Sequence, residues 1–314
     1  MGPTASTQDR VVAVVVTWQR LDLLRQALAA VIGQTRPPDV VVVVDNASTD
    51  GTPDVVAREH PDVDLVRLVR NTGGAGGFTV GLQRALEAHG ADAVWLLDDD
   101  TVPEPGALAA LLDAREGGGR PALLASRVVW EDGRDHPMNT PRRAPLSGRA
   151  ERAAADRLGC LPVRSASFVS VLVDADAVRA VGLPVADYFL WNDDFEFTTR
   201  LLRGRRGLWG PRSVVVHRTR TFGSTDADPG PRFYYEVRNK VWLFTRSRSL
   251  GPLERVLYGG ATVLRWARTV RGSSDRRQLG RAAVRGWHDA LAAGPRPNDD
   301  VLADALPPAP RRAS

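Results

Sequence analysis

Three adjacent aspartates, Asp98-Asp99-Asp100, directly follow the apolar run Val94–Leu97. Carboxylates this close repel one another, and the repulsion gives the end of a strand no structural advantage. A divalent cation would offset it, because Mg²⁺ and Mn²⁺ take oxygen ligands and often share one or two carboxylates with substrate phosphates. The triplet therefore predicts a metal and phosphate site, with a solvated acidic turn as the structural alternative.

A second acidic cluster lies in Trp191–Glu196 (WNDDFE), where a short amphipathic helical pattern begins. Acidic residues are common at helix starts, where they interact with free N–H groups and the helix dipole. Glu196 can also form an ion pair with Arg200, one turn later. Two adjacent aspartates between aromatic residues exceed what a cap needs, and a partly apolar setting raises a carboxyl pKa toward that of a general base. Asp193 and Asp194 are therefore candidate catalytic residues.

His217 directly follows the apolar run Val214–Val216, downstream of the acidic cluster. A lone histidine is more often structural than functional. Its place at a strand end nevertheless makes it a candidate third metal ligand through a neutral imidazole nitrogen.

The glycine-rich segment Asn71–Phe78 (NTGGAGGF) precedes a helical pattern. It does not match G-x-G-x-x-G, which argues against a nicotinamide cofactor. Its glycines, including Gly73 and Gly74, would let the backbone approach a diphosphate or a sugar ring closely. A loose surface turn is the alternative.

Strand and helix patterns alternate four times in the first hundred residues, which predicts an α/β fold with a doubly wound, mostly parallel sheet. The predicted strands are Val11–Val16, Val40–Val44, Asp64–Arg70 and Ala93–Leu97, with helices at Leu21–Val31, Thr52–His60 and Phe78–His89. Ligands of such sheets lie beyond the carboxyl ends of the strands. The polar segments at those ends should therefore share one crevice: Thr17–Arg20, Asp45–Asp50, Asn71–Gly77 and Asp98–Thr101.

The later chain is less regular. Residues 131–157 look like a mobile insertion, and order returns with a strand over Ser165–Val173, a helix over Ala175–Val181 and a strand over Val214–Val216. Helical patterns follow at 233–245 and 250–270, and the proline-rich end looks disordered. We expect a catalytic domain over residues 1–225, a C-terminal helical region over 226–294 and a disordered tail over 295–314.

Composition narrows the class of protein. The 314 residues are 43% hydrophobic and 25% charged, as in ordinary globular proteins, and one cysteine excludes a disulfide framework. No signal peptide and no membrane-spanning run is recognisable, so we expect a cytoplasmic protein. Residues 1–199 carry a net charge of −9 and residues 200–314 a net +14. The predicted crevice is acidic, which argues against nucleic acid as the partner.

Four segments resemble glycosyltransferase family 2 enzymes, which have the GT-A fold: Val14–Arg20 (VVVTWQR), Val43–Gly51 (VVDNASTDG), Asn71–Phe78 and Leu96–Thr101 (LLDDDT). The agreement runs over most of residues 11–220. Within that family, the glycine segment, the aspartate triplet, WNDDFEF and the later histidine look most like bacterial cell-wall galactofuranosyltransferases. Phe233–Asn239 (FYYEVRN) also resembles those enzymes and the related rhamnosyltransferases.

The resemblance implies a role for each matching residue. Donor binding would fall to Thr17, Arg20, Asp45, Asn71, Gly73, Gly74, Asp98 and Asp99. The metal would be held by Asp98, Asp100 and His217. Asp194 would be the catalytic base, Asp193 would orient it, and Trp191 and Glu196 would face the acceptor. One departure is that Asn192 separates Trp191 from the aspartates, where galactofuranosyltransferases often have tryptophan next to aspartate.

The implied activity is an inverting sugar transfer that depends on Mn²⁺ or Mg²⁺. The best match is galactofuranose moved from UDP-galactofuranose to a cell-envelope glycan or a polyprenyl-diphosphate-linked acceptor. A rhamnosyltransferase using dTDP-rhamnose is the alternative enzyme. An alternative from another functional class is a non-catalytic protein that binds a sugar nucleotide or nucleic acid. A lipid-linked acceptor would give the basic C-terminal third a reason to contact the inner face of the membrane. Packing of that third on the catalytic domain explains its helices equally well.

Overall fold

The apolar runs of the sequence form one mixed sheet with helices on both faces. The structure is a computed structural model that describes residues 9–144, 147–219, 221–223 and 228–306. Its strands are β1 Val11–Thr17, β2 Val40–Asp45, β3 Asp64–Arg67, β4 Ala93–Asp98, β5 Thr101–Pro103, β6 Leu123–Val129, β7 Arg142–Arg143, β8 Leu161–Ser165, β9 Ser170–Asp174 and β10 Gly207–His217. Their order is β3-β2-β1-β4-β9-β6-β10-β8-β7, and β5 pairs with β10.

The half of the sheet nearest the N-terminus is parallel, as the alternating pattern predicts. β3, β2, β1 and β4 all run in one direction. Beyond β4 the sheet is mixed, because β9 pairs antiparallel with both β4 and β6 while β10 runs parallel to β6. The predicted α/β fold class is confirmed, and the second half contributes the antiparallel strands.

The helices lie between and after the strands. They are α1 Leu21–Ile32, α2 Thr52–Glu59, α3 Gly73–Glu87, α4 Ala107–Gly117, α5 Arg149–Arg157, α6 Ala175–Val181, α7 Asp193–Leu201, α8 Phe233–Thr245, α9 Pro252–Gly272, α10 Arg276–Ala292 and α11 Asn298–Leu302. Alternate residues of β1 pack into separate cores, Val12 and Val14 with α3 on one face, Val11 and Val15 with α1 and α4 on the other. Continuous apolar strands are what a sheet covered on both faces requires.

The glycine-rich segment differs from the prediction, because it forms the first turns of α3 instead of a separate loop. A Cβ on Gly77 would lie 2.5 Å from Val16 Cγ1, and a Cβ on Gly81 would lie 2.3 Å from Val14 Cγ1. These glycines therefore let α3 pack directly on β1. A glycine-rich run suggests a loop by propensity alone, but here close packing outweighs propensity.

The prediction of a mobile insertion over residues 131–157 is wrong for its described part. It contains α5 and the buried side chains of His136 and Asn139. Polar contacts with β10 hold this segment in place. Because such contacts need no long apolar run, the sequence pattern did not indicate that the segment is ordered. The single strand predicted over Ser165–Val173 is likewise the end of β8 and most of β9, and β10 is longer than expected.

The predicted C-terminal helices are confirmed as α8 and α9, and α10 continues the helical region. Disorder from residue 295 is wrong for residues 295–306. Val301, Leu302 and Ala305 are buried, and Val69 N–H donates to the Ala305 carbonyl at 2.9 Å. Residues 307–314 lie outside the described residues. Among the helices that the structure describes, none is long and apolar enough to cross a membrane.

Candidate active site

The aspartate triplet lies in the turn between β4 and β5, at the carboxyl edge of the sheet. One carboxylate oxygen each from Asp98 and Asp100 and one ring nitrogen of His217 lie within 4.8 Å of one another. Antiparallel pairing of His217 in β10 with Thr101 in β5 brings the histidine to the triplet. The three residues that the resemblance implies as metal ligands therefore come together.

A hydrogen bond fixes the orientation of the His217 ring. Its Nδ1 lies 2.8 Å from Asn139 Oδ1 and its Nε2 lies 3.1 Å from Asp100 Oδ1. An amide oxygen can only accept, so Nδ1 carries a proton, and in the neutral ring Nε2 would present its lone pair toward the aspartates. Ligand histidines in metal sites are commonly oriented in this way. Asn139, in the segment expected to be mobile, is a positioning residue that the sequence analysis missed.

The donor set fits a hard divalent cation. Two carboxylates and one imidazole are suitable ligands for Mn²⁺ or Mg²⁺, and Asp100 Oδ1 is buried without a well-aligned hydrogen-bond donor among the described residues. Burial, followed by the charges of Asp100 and Asp99, raises the pKa of Asp98 well above its usual value. A bound cation would relieve this repulsion and satisfy the unpaired oxygen.

Asp99 has a different role from its two neighbours. Its Oδ2 accepts hydrogen bonds from Thr17 Oγ1 at 2.9 Å and Trp18 N–H at 3.2 Å, and its Oδ1 accepts one from Arg20 at 3.2 Å. Burial raises the pKa of Asp99 to about 6, against the opposing charge of Arg20. The Thr17 side chain is buried and committed to Asp99. Both residues therefore position the loop after β1, and the direct donor contacts expected of them stay predictions.

Arg20 links this loop to the metal cluster. Its guanidinium lies 2.6 Å from Asp100 Oδ2, and half of its side chain remains exposed. A cation at this position can interact with a phosphate while it stays anchored to the aspartates. The expectation that Arg20 contacts a diphosphate is compatible with this geometry.

At the end of β2, a buried carboxylate faces the same edge of the sheet. Asp45 Oδ2 accepts a hydrogen bond from Ser48 N–H at 3.1 Å, and its Oδ1 is buried without a partner in the described parts of the chain. Burial raises the pKa of Asp45. A buried carboxylate oxygen without a donor is costly, so this atom is well suited to accept an N–H or O–H group from a ligand.

Asn46, which the sequence analysis did not single out, joins β2 to the start of α3. Its Oδ1 accepts from Thr72 N–H at 2.7 Å, and its amide donates to the Gly73 carbonyl at 2.7 Å. Asn71 Oδ1 accepts from Gly73 N–H at 2.7 Å. The two asparagines fix the start of the helix. Asn71 thus serves the turn itself, with its side chain half-buried at the crevice.

Gly73 and Gly74 have different surroundings. Gly73 has φ +70°, and a Cβ there would lie 1.9 Å from the Phe189 carbonyl oxygen. A Cβ on Gly74 would meet no other described atom within 4 Å, so space is open beside it. Gly73 is therefore needed for contact with the loop before α7, and Gly74 is the one with room for a ligand beside it.

The acidic pair begins α7 next to the metal cluster. Burial, then the charge of Asp194, raises the pKa of Asp193 to about 8. Burial also raises the pKa of Asp194, against the Phe195 N–H and the charges of Lys240 and Arg142. Asp193 in turn contributes to the raised pKa of Asp98. The two predicted clusters therefore lie close enough to interact electrostatically.

The loop that carries Trp191 is held in a strained conformation. Phe189, Trp191 and Asn192 have φ values of +61°, +64° and +66°. The Asn239 amide on α8 donates to the carbonyls of Tyr188, Leu190 and Trp191 at 2.9, 2.9 and 2.8 Å. Such strain persists only where surrounding contacts impose it. Asn239 is thus a positioning residue, and its segment was noted in the sequence only through resemblance.

The Glu196 carboxylate is occupied by neighbouring side chains of the protein. Its two oxygens accept from Arg200 at 2.8 and 3.0 Å, and Oε1 also accepts from Ser247 at 2.7 Å. The carboxylate is buried, and this geometry matches the one-turn ion pair raised as an alternative. These contacts give Glu196 a role in anchoring α7, and its expected acceptor contact stays a prediction.

Known proteins share both the sequence pattern and the fold of this chain. The family model for glycosyl transferase family 2 matches residues 12–177, just over half of the chain. Galactofuranosyltransferase GlfT1 of Mycolicibacterium smegmatis is 34% identical over 200 residues, which cover 62% of this chain and 65% of that relative. The match thus spans just under two thirds of the relative's length.

A longer match has lower identity. N-acetylglucosaminyl-diphospho-decaprenol L-rhamnosyltransferase of Mycobacterium tuberculosis is 26% identical over 309 residues, covering 86% of this chain and 97% of that relative. Among solved structures, mannosyltransferase PcManGT of Pyrobaculum calidifontis, in complex with GDP-Man and Mn²⁺, superposes with a TM-score of 0.53 at 21% identity. That superposition covers 96% of this chain and 81% of the mannosyltransferase chain. The fold is GT-A, and the chain belongs to glycosyltransferase family 2.

Proposed function

We propose that this glycosyltransferase is metal-dependent and inverting, and that it moves galactofuranose from UDP-galactofuranose to a cell-envelope glycan or a polyprenyl-diphosphate-linked acceptor. The observation that carries the proposal is the proximity of the Asp98, Asp100 and His217 cluster to the Asp193 and Asp194 pair. The first arrangement suits a nucleoside diphosphate with its cation, and the second suits an acceptor hydroxyl. The similarity to GlfT1 supports the choice of sugar.

In this proposal the nucleotide lies along the carboxyl edge of the sheet. Asp45 Oδ1 accepts a hydrogen bond from the base or ribose, and Arg20 contacts the diphosphate. Asp98, Asp100 and His217 would hold Mn²⁺ or Mg²⁺, and a bound cation would neutralise charge on the departing diphosphate. Gly74 leaves room for the donor beside the start of α3.

Asp194 takes the proton from the acceptor hydroxyl as the hydroxyl oxygen attacks the anomeric carbon, and the bond from that carbon to the UDP leaving group breaks. Burial raises the pKa of this carboxyl toward a range useful for a general base. Asp193, with its pKa raised to about 8, holds a proton at neutral pH and can orient its neighbour or the acceptor by donating it. Trp191, on the strained loop beside the pair, offers a ring face to the acceptor sugar.

The second candidate activity is rhamnosyl transfer from dTDP-rhamnose. The match to the rhamnosyltransferase favours it, because it extends over 86% of this chain, whereas the match to GlfT1 covers 62%. A binding protein without catalysis would have no use for the buried, adjacent aspartates of α7.

A donor-hydrolysis screen tests the proposal. With Mn²⁺ present, the wild-type protein should release UDP from UDP-galactofuranose faster than from other UDP-sugars, and faster than it releases dTDP from dTDP-rhamnose. EDTA and Asp100→Asn should each abolish release. Asp194→Asn should bind UDP normally but lose about 10²-fold in turnover.

The matched control is Asp176→Asn, because that side chain is 90% exposed on α6. It should hydrolyse the donor like the wild type. Full activity in EDTA would contradict the metal dependence. If Asp193→Asn is inactive and Asp194→Asn is normal, the roles of the pair are reversed.

A further inference from the structure

A cationic cavity of about 550 Å³ opens beside the acidic pair, between β7, α8 and α9. Phe195, the residue after Asp194, forms part of its wall. Four cationic side chains line it: Arg142, Lys240, Arg265 and Arg268. Asp228, the one acidic residue among its described lining, already accepts hydrogen bonds from Ser273 and Ser274. The cavity therefore carries an excess of positive charge.

Three of these cations have no anionic partner among the residues that the structure describes. In those parts of the chain, no carboxylate lies within 4.0 Å of the charged groups of Arg142, Lys240 or Arg268. The buried Lys240 ammonium lies 4.5 Å from the centre of the Phe195 ring, and the Arg142 guanidinium lies 5.1 Å from it. Burial lowers the pKa of Lys240 to about 8. Grouped cations that no carboxylate contacts at ion-pair distance are stabilised when an anion binds among them.

An exposed apolar stripe leads away from the cavity along α9. Leu257, Ala261, Leu264 and Arg268 follow one another at spacings of four, three and four, so they lie on one side of the helix. Ala261 and Arg268 line the cavity, whereas Leu257 and Leu264 are 63% and 60% exposed. Among described residues nothing covers these two leucines. The cationic cavity thus adjoins the exposed apolar stripe of α9.

We propose that this cavity binds the diphosphate of a prenyl diphosphate, the lipid end of the acceptor, with the prenyl chain lying over Leu257 and Leu264. Guanidinium groups bind phosphate oxygens in pairs of parallel hydrogen bonds. The three unpartnered cations supply enough positive charge to neutralise the two negative charges of a diphosphate that joins a sugar to a lipid. The inference rests on the proposed function and identifies where its acceptor binds.

Position in the molecule separates this cavity from the donor site. The donor residues lie at the carboxyl ends of β1, β2 and β4, whereas the cavity lies on the side of α7 that faces α8 and α9. The charges of Lys240 and Arg142 are among the main influences on the pKa of Asp194, whereas the main charges acting on Asp98 are those of Asp100, Asp99, Arg20 and Asp193. A diphosphate bound here would direct its attached sugar toward Asp194.

The test is a binding measurement by calorimetry on the full-length protein, with farnesyl diphosphate below its micelle concentration. Inorganic diphosphate is the matched probe for the diphosphate group, and farnesol is the matched probe for the prenyl chain. Farnesyl diphosphate should bind at least about tenfold more tightly than either. Arg142→Gln and Arg268→Gln should each lower its affinity about tenfold, as expected for charged hydrogen bonds.

Leu264→Ser should weaken farnesyl diphosphate binding and leave inorganic diphosphate binding unchanged. The control is Arg271→Gln, an exposed arginine on α9 outside the cavity, which should bind all probes like the wild type. Displacement of farnesyl diphosphate by UDP with Mn²⁺ would assign the cavity to the donor and overturn the proposal. The proposal would also be overturned if farnesyl diphosphate bound no more tightly than inorganic diphosphate, or did not bind.

Failure of the proposed function gives a different result. A protein that hydrolyses no nucleotide sugar but binds farnesyl diphosphate through Arg142 and Arg268 refutes the proposed sugar transfer and supports the lipid-diphosphate site. A protein that hydrolyses its donor but fails the binding test refutes only the site.

Discussion

At the scale of single residues, the site depends on carboxyl groups whose protonation is set by burial. Asp193 is the clearest case, because burial and the neighbouring charge of Asp194 raise its pKa to about 8. In the unfolded chain the same carboxyl has a pKa of about 4. At pH values between these two pKa values, folding therefore takes up a proton. The folded state loses stability as the pH rises through that range.

We expect Asp193→Asn to raise the melting temperature at pH 8.5, because the amide keeps the size of the side chain without a charge to bury. Near pH 4, where the folded wild type holds the proton and about half of the unfolded chains do, the two proteins should melt at similar temperatures. The measurement is thermal unfolding from about pH 4 to 8.5 in EDTA. A difference that is the same at both ends of this range would contradict the raised pKa.

The sequence singled out the acidic residues and the histidine that come together, but not the residues that orient them. Adjacent aspartates and a histidine at a strand end suggest chemistry by their types, and the structure brings Asp98, Asp100 and His217 together. Asn46, Asn139 and Asn239 gave no such signal. An asparagine side chain serves turns, caps and surfaces equally well, and its role here depends on partners 26 to 78 positions away.

At the scale of secondary-structure elements, α8 supports the acidic pair from outside the parallel sheet. Phe189 is the central residue of a tight turn closed by a 2.6 Å hydrogen bond from Leu190 N–H to the Tyr188 carbonyl. Asn239 and Glu236 of α8 hold the carbonyls of this loop and the amide of Asn192. The helix itself was predictable from its periodicity, but its contact with the loop depends on the tertiary fold.

We expect Asn239→Asp to lower kcat at least about tenfold and to change UDP affinity less than about twofold. The substitution keeps the shape but replaces three donated hydrogen bonds by repulsion between a carboxylate and three carbonyls. The loop that carries Trp191 and the start of α7 would then shift, while the strand-end nucleotide site would stay. The measurement pairs donor-hydrolysis kinetics with UDP calorimetry.

Thr245→Val is the matched control on the same helix, since the Thr245 hydroxyl donates to the Val241 carbonyl one turn earlier and lies away from the loop. It should leave both kcat and UDP affinity near the wild-type values. An Asn239→Asp protein with normal kcat would show that α8 does not position the pair.

At the scale of the whole molecule, net positive charge and exposed apolar side chains are concentrated in the same third of the chain. Residues 200–314 carry a net +14 and residues 1–199 a net −9. The exposed apolar side chains of α10 are Val284, Trp287 and Leu291, at spacings that place them on one side of the helix, near Arg281 and Arg285. Apolar residues flanked by arginines are typical of helices that lie on anionic membrane surfaces.

We therefore expect the full-length protein to sediment with vesicles that contain phosphatidylglycerol, and far less with vesicles of phosphatidylcholine alone. Each basic residue near such a surface contributes ~1 kcal/mol, and high salt should release the protein because it screens these charges. Trp287→Glu should weaken binding, since it places a negative charge on the proposed contact surface. The control is Val69→Glu, a similarly exposed apolar position in the acidic part of the chain, which should sediment like the wild type. Equal sedimentation with both kinds of vesicle, or with neither, would contradict membrane contact and leave α9 and α10 as helices that pack on the catalytic domain.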